Sequence, residues 1–351
     1  MRNQEKYLFE YFDESDDIVI FDSFVKANSV INNPCYENIM CSISGGSDSD
    51  IILDLIHKVD KDKKVKYVWF NTGLEYQATK DHLKYLEEKY NIEIIREKAI
   101  KPIPLTCKEY GEPFISKFVS QAINILQKNN FKFEDKPYEE LIQEYPNCWG
   151  VKWWCNKYGN AEKYGYARFN INFNKYLKEF LIQNPPQFKI SDRCCKYAKK
   201  DVSKMLVKKY DFDLMIVGVR KSEGGVRASA YRNCFSINEN EVDNYRPIFW
   251  YKDENKINYE VKFNTTHSAC YTKYGFKRTG CCCCPYGGKD LEKELEAVRL
   301  FEPNLYNAVN NVFKNSYEYT RKYREFVQTM KAQEKENIKK AKGQLSIFDF
   351  M

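Results

Sequence analysis

The sequence predicts an α/β fold: a doubly wound, mostly parallel sheet with helical N- and C-terminal extensions and an inserted helical, aromatic segment. Three observations predict it. An apolar run at residues 38–44 leads straight into Gly45-Gly46 and then into an apolar-periodic stretch at 48–58. The same strand, turn and helix order repeats at 65–70, at Asn71-Thr72-Gly73 and at 77–89, and a third apolar run follows at 92–96. The pattern resumes far down the chain at 211–218, which again ends in a polar loop.

Each element follows from its residues. Residues 1–36 read as a polar, aromatic helical segment that stops near Pro34. Residues 37–288 form the α/β domain, with an insertion at about 101–190. That insertion contains helical pieces at 116–128, 138–144 and 173–181 and a cluster of Trp149, Trp153 and Trp154, and it is expected to lie over the sheet edge. Residues 191–288 carry most of the cysteines that invite chemistry. Residues 289–342 read as one or two helices, Lys- and Glu-rich towards the end, and 343–351 as a short apolar-tipped tail.

Composition narrows the class. Hydrophobic residues are 43% of the 351, enough for a sizeable core, and the net charge of +7 is compatible with a polyanionic partner or with a solvated lysine-rich surface. No apolar stretch approaches the roughly 18 residues of a membrane span. The first residues, MRNQEKYLFEYFDESDD, lack the apolar core of a secretory leader, so a cytoplasmic location with reduced thiols is expected. Thirteen cysteines in a reducing compartment point to metal or cluster ligation or redox chemistry before disulfides.

The glycine loop carries the first chemistry. Ser44-Gly45-Gly46-Ser47-Asp48-Ser49 stands between a strand and a helix. Glycines let the backbone turn sharply and bring N–H groups close to an anion, and the helix N-terminus adds partial positive charge. A helix-capping turn is the plainer alternative. Asn71, Thr72 and Gly73 end the second strand, where α/β sheets collect ligands. Arg220, Lys221 and Arg227 follow the strand at 211–218 and offer three cations within eight residues, a set suited to phosphate or sulfate.

The cysteines carry the second chemistry. Cys194 and Cys195 are adjacent, and "RTGCCCCPYGG" places Cys281 to Cys284 in a row. Four consecutive thiols on one short turn cannot converge on one ion. A C-x-x-C turn lets Cys281 and Cys284 face one centre, with Cys282 and Cys283 as spectators, a redox pair or persulfide carriers. Adjacent Cys194 and Cys195 suit a cubane, where each binds its own iron, better than one tetrahedral zinc; structural zinc is the alternative. Cys148 and Cys155, among tryptophans, read as packing residues.

These motifs resemble those of a known group. The S-G-G-x-D-S loop at Ser44 to Ser49 resembles that of the PP-loop ATP pyrophosphatases, the segment at 70–75 resembles the D-T-G turn of phosphoadenosine phosphosulfate reductases, and the loop from Gly218 to Arg227 resembles their arginine loop. Cys194-Cys195 with Cys281-x-x-Cys284 is similar to the C-C … C-x-x-C pattern of adenylyl-sulfate reductases and of reductase-like proteins from DNA phosphorothioation systems and phages. The resemblance spans residues 38–288 and implies a phosphoadenosine phosphosulfate reductase-like protein with an adenine nucleotide alpha-hydrolase-like fold.

It implies nucleotide contacts from Ser44, Gly45, Gly46, Ser47, Asp48, Ser49, Asn71, Thr72, Gly73, Arg220, Lys221 and Arg246, with Asp48, Arg220 and Arg227 catalytic. It implies ATP or an adenylyl sulfate as substrate, Mg²⁺, and a [4Fe–4S] cluster on Cys194, Cys195, Cys281 and Cys284. The sulfonucleotide reductases of this group attack with a cysteine near the C-terminus, and this sequence has none after Cys284. An ATP-dependent sulfurtransferase acting on nucleic acid, as in DNA phosphorothioation, is therefore the expected activity, with sulfonucleotide reduction and a non-enzymatic nucleotide- and cluster-binding regulator as alternatives. Gln344-Leu345-Ser346-Ile347-Phe348 resembles the peptide by which bacterial DNA-processing proteins bind the sliding clamp, on what composition reads as a flexible lysine-rich tether.

Overall fold

The computed structural model describes residues 10–13, 16–159, 169–224, 230–238 and 241–348, with 342–348 described by backbone alone. The chain divides into two compact units. One comprises 1–103, 196–282 and 293–305, the other 104–195, 283–292 and 306–351. No helix among the described residues is long and apolar enough to cross a membrane.

The first unit is built on a six-stranded sheet. Its strands are β1 (Ile39–Ile43), β2 (Val65–Asn71), β3 (Ile94–Lys98), β4 (Leu214–Val217), β5 (Phe235–Ser236) and β6 (Asp243–Tyr245), in the spatial order β3-β2-β1-β4-β6-β5. Every neighbouring pair is parallel except β5 against β6. Ile39 pairs with Val65 on one side and with Leu214 on the other, so β1 sits near the centre.

Side chains alternate across a strand, and the burial follows that period. Ile39, Cys41 and Ile43 join Tyr67, Trp69 and Ile216 in a core completed by helices α1 (Ile18–Ile31), α2 (Ser47–Val59) and α3 (Gln77–Tyr90). Met40 and Val68 face the other way and meet Val202 and Leu206 of α4 (Asp201–Tyr210), with Phe212. Helices therefore cover both faces, which is the doubly wound arrangement the sequence predicts. A fifth helix of this unit, α5 (Asp253–Phe263), buries Tyr259 in the first of these cores.

Two strand starts and two short strands differ from the sequence reading, each for a local reason. β3 starts at Ile94, two residues later than the apolar run suggests. Asn91 ends α3 in the left-handed conformation (φ 48°), Ile92 N–H still donates to the Glu87 carbonyl, and the Glu87 carboxylate takes the Ile94 N–H at 2.9 Å. β4 starts at Leu214 because Asp211 is the left-handed cap of α4 (φ 50°). β5 and β6 escape detection because two- and three-residue strands show no alternation.

The second unit has an aromatic core. Phe114, Trp153, Trp154, Phe180, Leu181 and Tyr319 are buried together. Trp154 meets Phe131 and Phe133 edge-on at 5.3 and 5.8 Å, and its indole N–H donates to the Glu134 carbonyl at 3.0 Å. The tryptophan cluster read from the sequence is thus a core, with Cys148 inside it and Cys155 at its margin. The helix read at 173–181 begins later, as Leu177–Gln183 after a 3₁₀ turn at Ile171–Phe173.

Gly111 ties this unit together. Its φ is +110°, and a Cβ there would fall inside contact distance of the Lys189 backbone carbonyl. The close approach lets Glu112 N–H donate to the Lys189 carbonyl at 2.9 Å and Ser191 N–H to the Glu112 carbonyl at 2.9 Å. Gly111→Ala combines left-handed strain with a backbone clash and is expected to destabilise this unit by about 2–4 kcal/mol. A urea titration followed by tryptophan fluorescence, which reports this core, should show the lowered midpoint; an unchanged midpoint would remove the argument.

Among the described residues beyond 289 the chain forms three helices, where the sequence reading expects one or two: Leu291–Phe301, Pro303–Val312 and Lys314–Phe348. Pro303 separates the first two, because proline disfavours helical geometry in the residue before it. The backbone of Gln344 to Phe348 continues the last helix, where a flexible tether is expected from composition. Lys, Ala, Glu and Gln are good helix formers, so a lysine-rich stretch need not be flexible.

Candidate functional site

β1 delivers the glycine loop to its carboxyl end. Gly45 has φ +68°, and a Cβ there would stand 2.7 Å from Thr79 Cγ2, so the turn requires glycine. α2 starts at Ser47 with Gly46 as its N-cap and no side-chain cap, and Asp48 and Asp50 occupy its first turn. The loop N–H groups point at hydroxyls. Ser44 N–H donates to Ser49 Oγ at 3.0 Å, Gly46 N–H to Ser44 Oγ at 3.3 Å and Ser47 N–H to the Tyr271 hydroxyl at 3.0 Å. Hydroxyl oxygens hold the positions that an anion's oxygens can take over.

Asp48 is the electrostatic centre. Arg220 Nε donates to its Oδ2 at 3.0 Å, and Lys256 Nζ lies 2.9 Å from its Oδ1. Burial alone would raise this carboxyl, but Lys256 and then Arg220 outweigh it and hold Asp48 below the usual range. Arg220 Nη1 also donates to Asp253 Oδ1 at 2.8 Å, and Lys256 donates to Ser47 Oγ.

These groups line one cavity of about 860 Å³ at the carboxyl ends of β1 and β4. Ser44, Gly46, Ser47, Asp48, Ser49 and Arg220 line it as the sequence leads one to expect. Lys256, Tyr271, Lys277, Arg278 and Thr279 also line it, and sequence reasoning missed them. Arg278 and Thr279 stand three and two residues before Cys281, in a stretch to which the sequence reading gives no nucleotide contact. Lys256 lies on a polar helix with no motif, so no signal announced it.

Other expected contacts go elsewhere. Lys221 Nζ lies over the Trp250 ring at 4.9 Å. Arg246 is buried, its guanidinium 4.0 Å from the Tyr231 ring and its Nη1 donating to Ser236 Oγ at 3.0 Å. It therefore supports Tyr231, which does line the cavity. Asn71 and Thr72 organise their own turn: Asn71 Oδ1 accepts from Gly73 N–H at 3.0 Å, and Thr72 gives its N–H (3.2 Å) and its hydroxyl (2.5 Å) to Glu75. Thr72 Oγ1 also stands 3.7 Å from Cys281 Sγ. Arg227 lies outside the described residues.

Behind the loop is a partly buried ionic chain that uses two of the three histidines. Asp50 accepts from His82 at 2.9 Å and from His267 at 2.8 Å, and His267 Nε2 stands 2.9 Å from Glu260. Burial pulls His267 down, but Asp50 and Glu260 outweigh it and raise its pKa to about 9. A histidine whose folded pKa exceeds its ordinary 6.5 contributes stability fully present below about pH 6.5 and lost as pH rises through about 9. The melting temperature is therefore expected to fall between pH 7 and 9.5, and His267→Gln to flatten that slope; an equal slope in the variant would contradict it.

In the second unit, thiols gather around Cys194. Its side chain hydrogen-bonds with those of Cys107 and Cys195, and Cys284 lies close enough to add to its field. The Cys107 contact, with burial, holds the Cys194 thiol above the usual range. Cys194, Cys195 and Cys284 were read as ligands from the sequence; Cys107 was left unassigned, and only folding reveals it. Cys282 and Cys283 are fully buried, while Cys281 and Cys284 are half-buried. The Cys283 carbonyl accepts from Tyr317 at 2.6 Å, and that of Cys284 from Gly287 N–H at 2.7 Å.

No group of three or more His, Cys, Asp or Glu side chains among the described residues is placed to hold a single metal ion. A cubane takes each cysteine on a separate iron, so its thiolates stand further apart than ligands of one ion. Cys107, Cys194, Cys195 and Cys284 belong to one unit and are thiol donors of the kind that zinc and iron–sulfur clusters both take.

Comparison with known proteins shows the family. A family model for the phosphoadenosine phosphosulfate reductase domain matches residues 38–128 and 157–286. An uncharacterized protein of Methanocaldococcus jannaschii is 25% identical over 320 residues, 86% of this chain; the chain spans about half, 49%, of that relative's length. Among solved structures, phosphoadenylyl-sulfate reductase from Candida auris in its phosphate complex aligns at 13% identity over 74% of this chain and 87% of the other, with a TM-score of 0.39. The U34-tRNA thiolase from Methanococcus maripaludis with its [4Fe–4S] cluster aligns at 13% identity over 89% and 80%, with a TM-score of 0.37.

Proposed function

Since the chain belongs to the phosphoadenosine phosphosulfate reductase domain family, we propose that it is an ATP-dependent, pyrophosphate-releasing sulfurtransferase acting on a nucleic acid, with DNA phosphorothioation as the type of reaction. The observation that carries this reading is Asp48. It is a carboxylate that lines the loop's cavity with Arg220 on one oxygen and Lys256 on the other. It suits a polyphosphate that arrives with Mg²⁺.

The chemistry follows from the residues around it. The loop N–H groups from Ser44 to Ser47 and the N-terminus of α2 receive phosphate oxygens. An oxygen of the acceptor attacks the α-phosphorus, pyrophosphate leaves, and the acceptor is adenylated; a sulfur nucleophile then displaces AMP. Arg220 faces the cavity and balances charge that develops on the phosphorus oxygens. Lys277 and Arg278 line the cavity as further cations for a polyanionic acceptor. Asp48 is the residue that would hold Mg²⁺, which when bound neutralises phosphate charge. A [4Fe–4S] cluster, when bound, holds sulfur or passes electrons; Cys194, Cys195 and Cys284 would hold it, with Cys107 or Cys281 as the fourth ligand.

The test is pyrophosphate release from Mg-ATP by anaerobically purified protein, with and without DNA. Release that rises with DNA and is lost in Asp48→Asn supports the reading. Sulfite formed from an adenylyl sulfate, with no pyrophosphate from ATP, overturns it in favour of sulfonucleotide reduction.

A further inference from the structure

We propose that Lys256 is a second cation of the nucleotide site, dedicated to the polyphosphate, and that the partly buried Glu260–His267–Asp50 chain positions it. The inference rests on the ATP reading above but concerns which side chain recognises the phosphates beyond the first.

Lys256 lines the same cavity as the loop. Its ammonium touches both residues that open α2: it donates to Ser47 Oγ and stands 2.9 Å from Asp48 Oδ1. Arg220 holds the other oxygen of the same carboxylate, at 3.0 Å. Asp48 therefore carries one cation on each oxygen, and both cations border the space the loop N–H groups surround. A compact ammonium on a flexible stem can leave Asp48 and follow an entering phosphate, whereas the guanidinium is also fixed by Asp253.

What keeps Lys256 there is a circuit running from α2 to α5 and back. Lys256 and Glu260 are four residues apart on α5, so they share a face, and their charged groups are 3.9 Å apart. Glu260 meets His267 at 2.9 Å, and His267 meets Asp50 at 2.8 Å. Asp50 belongs to the first turn of α2, two residues from Asp48, and its side chain is fully buried. His82 of α3 takes the second oxygen of Asp50 at 2.9 Å, which fixes that anchor. The histidine-rich chain thus begins and ends on the loop helix. Of Asp50, His267, Glu260 and Lys256, it is Lys256 that lines the cavity.

Calorimetric titration of the full-length protein with Mg-ATP, inorganic pyrophosphate and AMP tests this. Lys256→Met is expected to weaken ATP and pyrophosphate by about ten- to hundredfold, as loss of a charge-assisted contact does, and to leave AMP within about twofold. Lys256→Arg should restore most of the loss. His267→Gln should weaken the same two ligands by about three- to tenfold and spare AMP; a purely structural effect would weaken all three alike. Wild-type affinity for ATP in Lys256→Met, or an equal loss for AMP, overturns the inference. If the wild-type protein binds an adenylyl sulfate and not ATP, the ATP reading fails, and dependence of that binding on Lys256 decides the inference by itself.

Discussion

Replacing Arg220 with methionine is expected to lower the rate of pyrophosphate release by about a hundredfold or more. The substitution keeps most of the side chain's length and removes the guanidinium. Two acidic groups then lose their partner: Asp48, at 3.0 Å from Nε, and Asp253, at 2.8 Å from Nη1. Asp48 is half-buried and keeps Lys256. The loss should fall mainly on kcat, because the guanidinium is most valuable when charge builds on the phosphorus oxygens. Arg220→Lys should recover part of the activity, since a lysine can meet one carboxylate but not both. A rate within threefold of wild type in Arg220→Met would remove Arg220 from the chemistry and leave it a structural ion pair.

The second large effect concerns the thiols. Cys194→Ala is expected to reduce bound iron from about four atoms per chain to under one, with loss of the visible absorption of a cluster. Cys194 is the residue on which the contacts of Cys107 and Cys195 converge, and Cys284 stands close to it. Iron analysis of Cys107→Ala and Cys281→Ala in parallel separates the two candidates for the fourth ligand. Cys281 belongs to the pattern read from the sequence, whereas Cys107 is brought to Cys194 by the fold. Stoichiometric zinc with no visible absorption would instead identify a structural site.

The sequence by itself determined the sheet and the loop. Apolar runs of strand length, each followed by a turn and a helical period, leave little choice of architecture, because a parallel strand must be covered on both faces. The alternation of Ile39, Cys41 and Ile43 against Met40 is that rule seen in the packing. Ser44 to Ser49 was legible because glycine at φ +68° and serines at a helix start are local requirements, written in adjacent residues.

Only the tertiary structure decided the partners. Lys256 and His267 approach Asp48 and Asp50 across more than two hundred residues of chain. Arg246 carries a charge that suits phosphate, yet it is buried against Tyr231, away from the position its type suggests. Cys107 had no neighbouring thiol in sequence and gained Cys194 on folding. The physical reason is the same in each case. Strand period, turn glycine and helix start are set by bonds and sterics within a few residues. The energy of an ion pair or of a gathered thiol set depends on distance and burial, which exist only after the chain has closed.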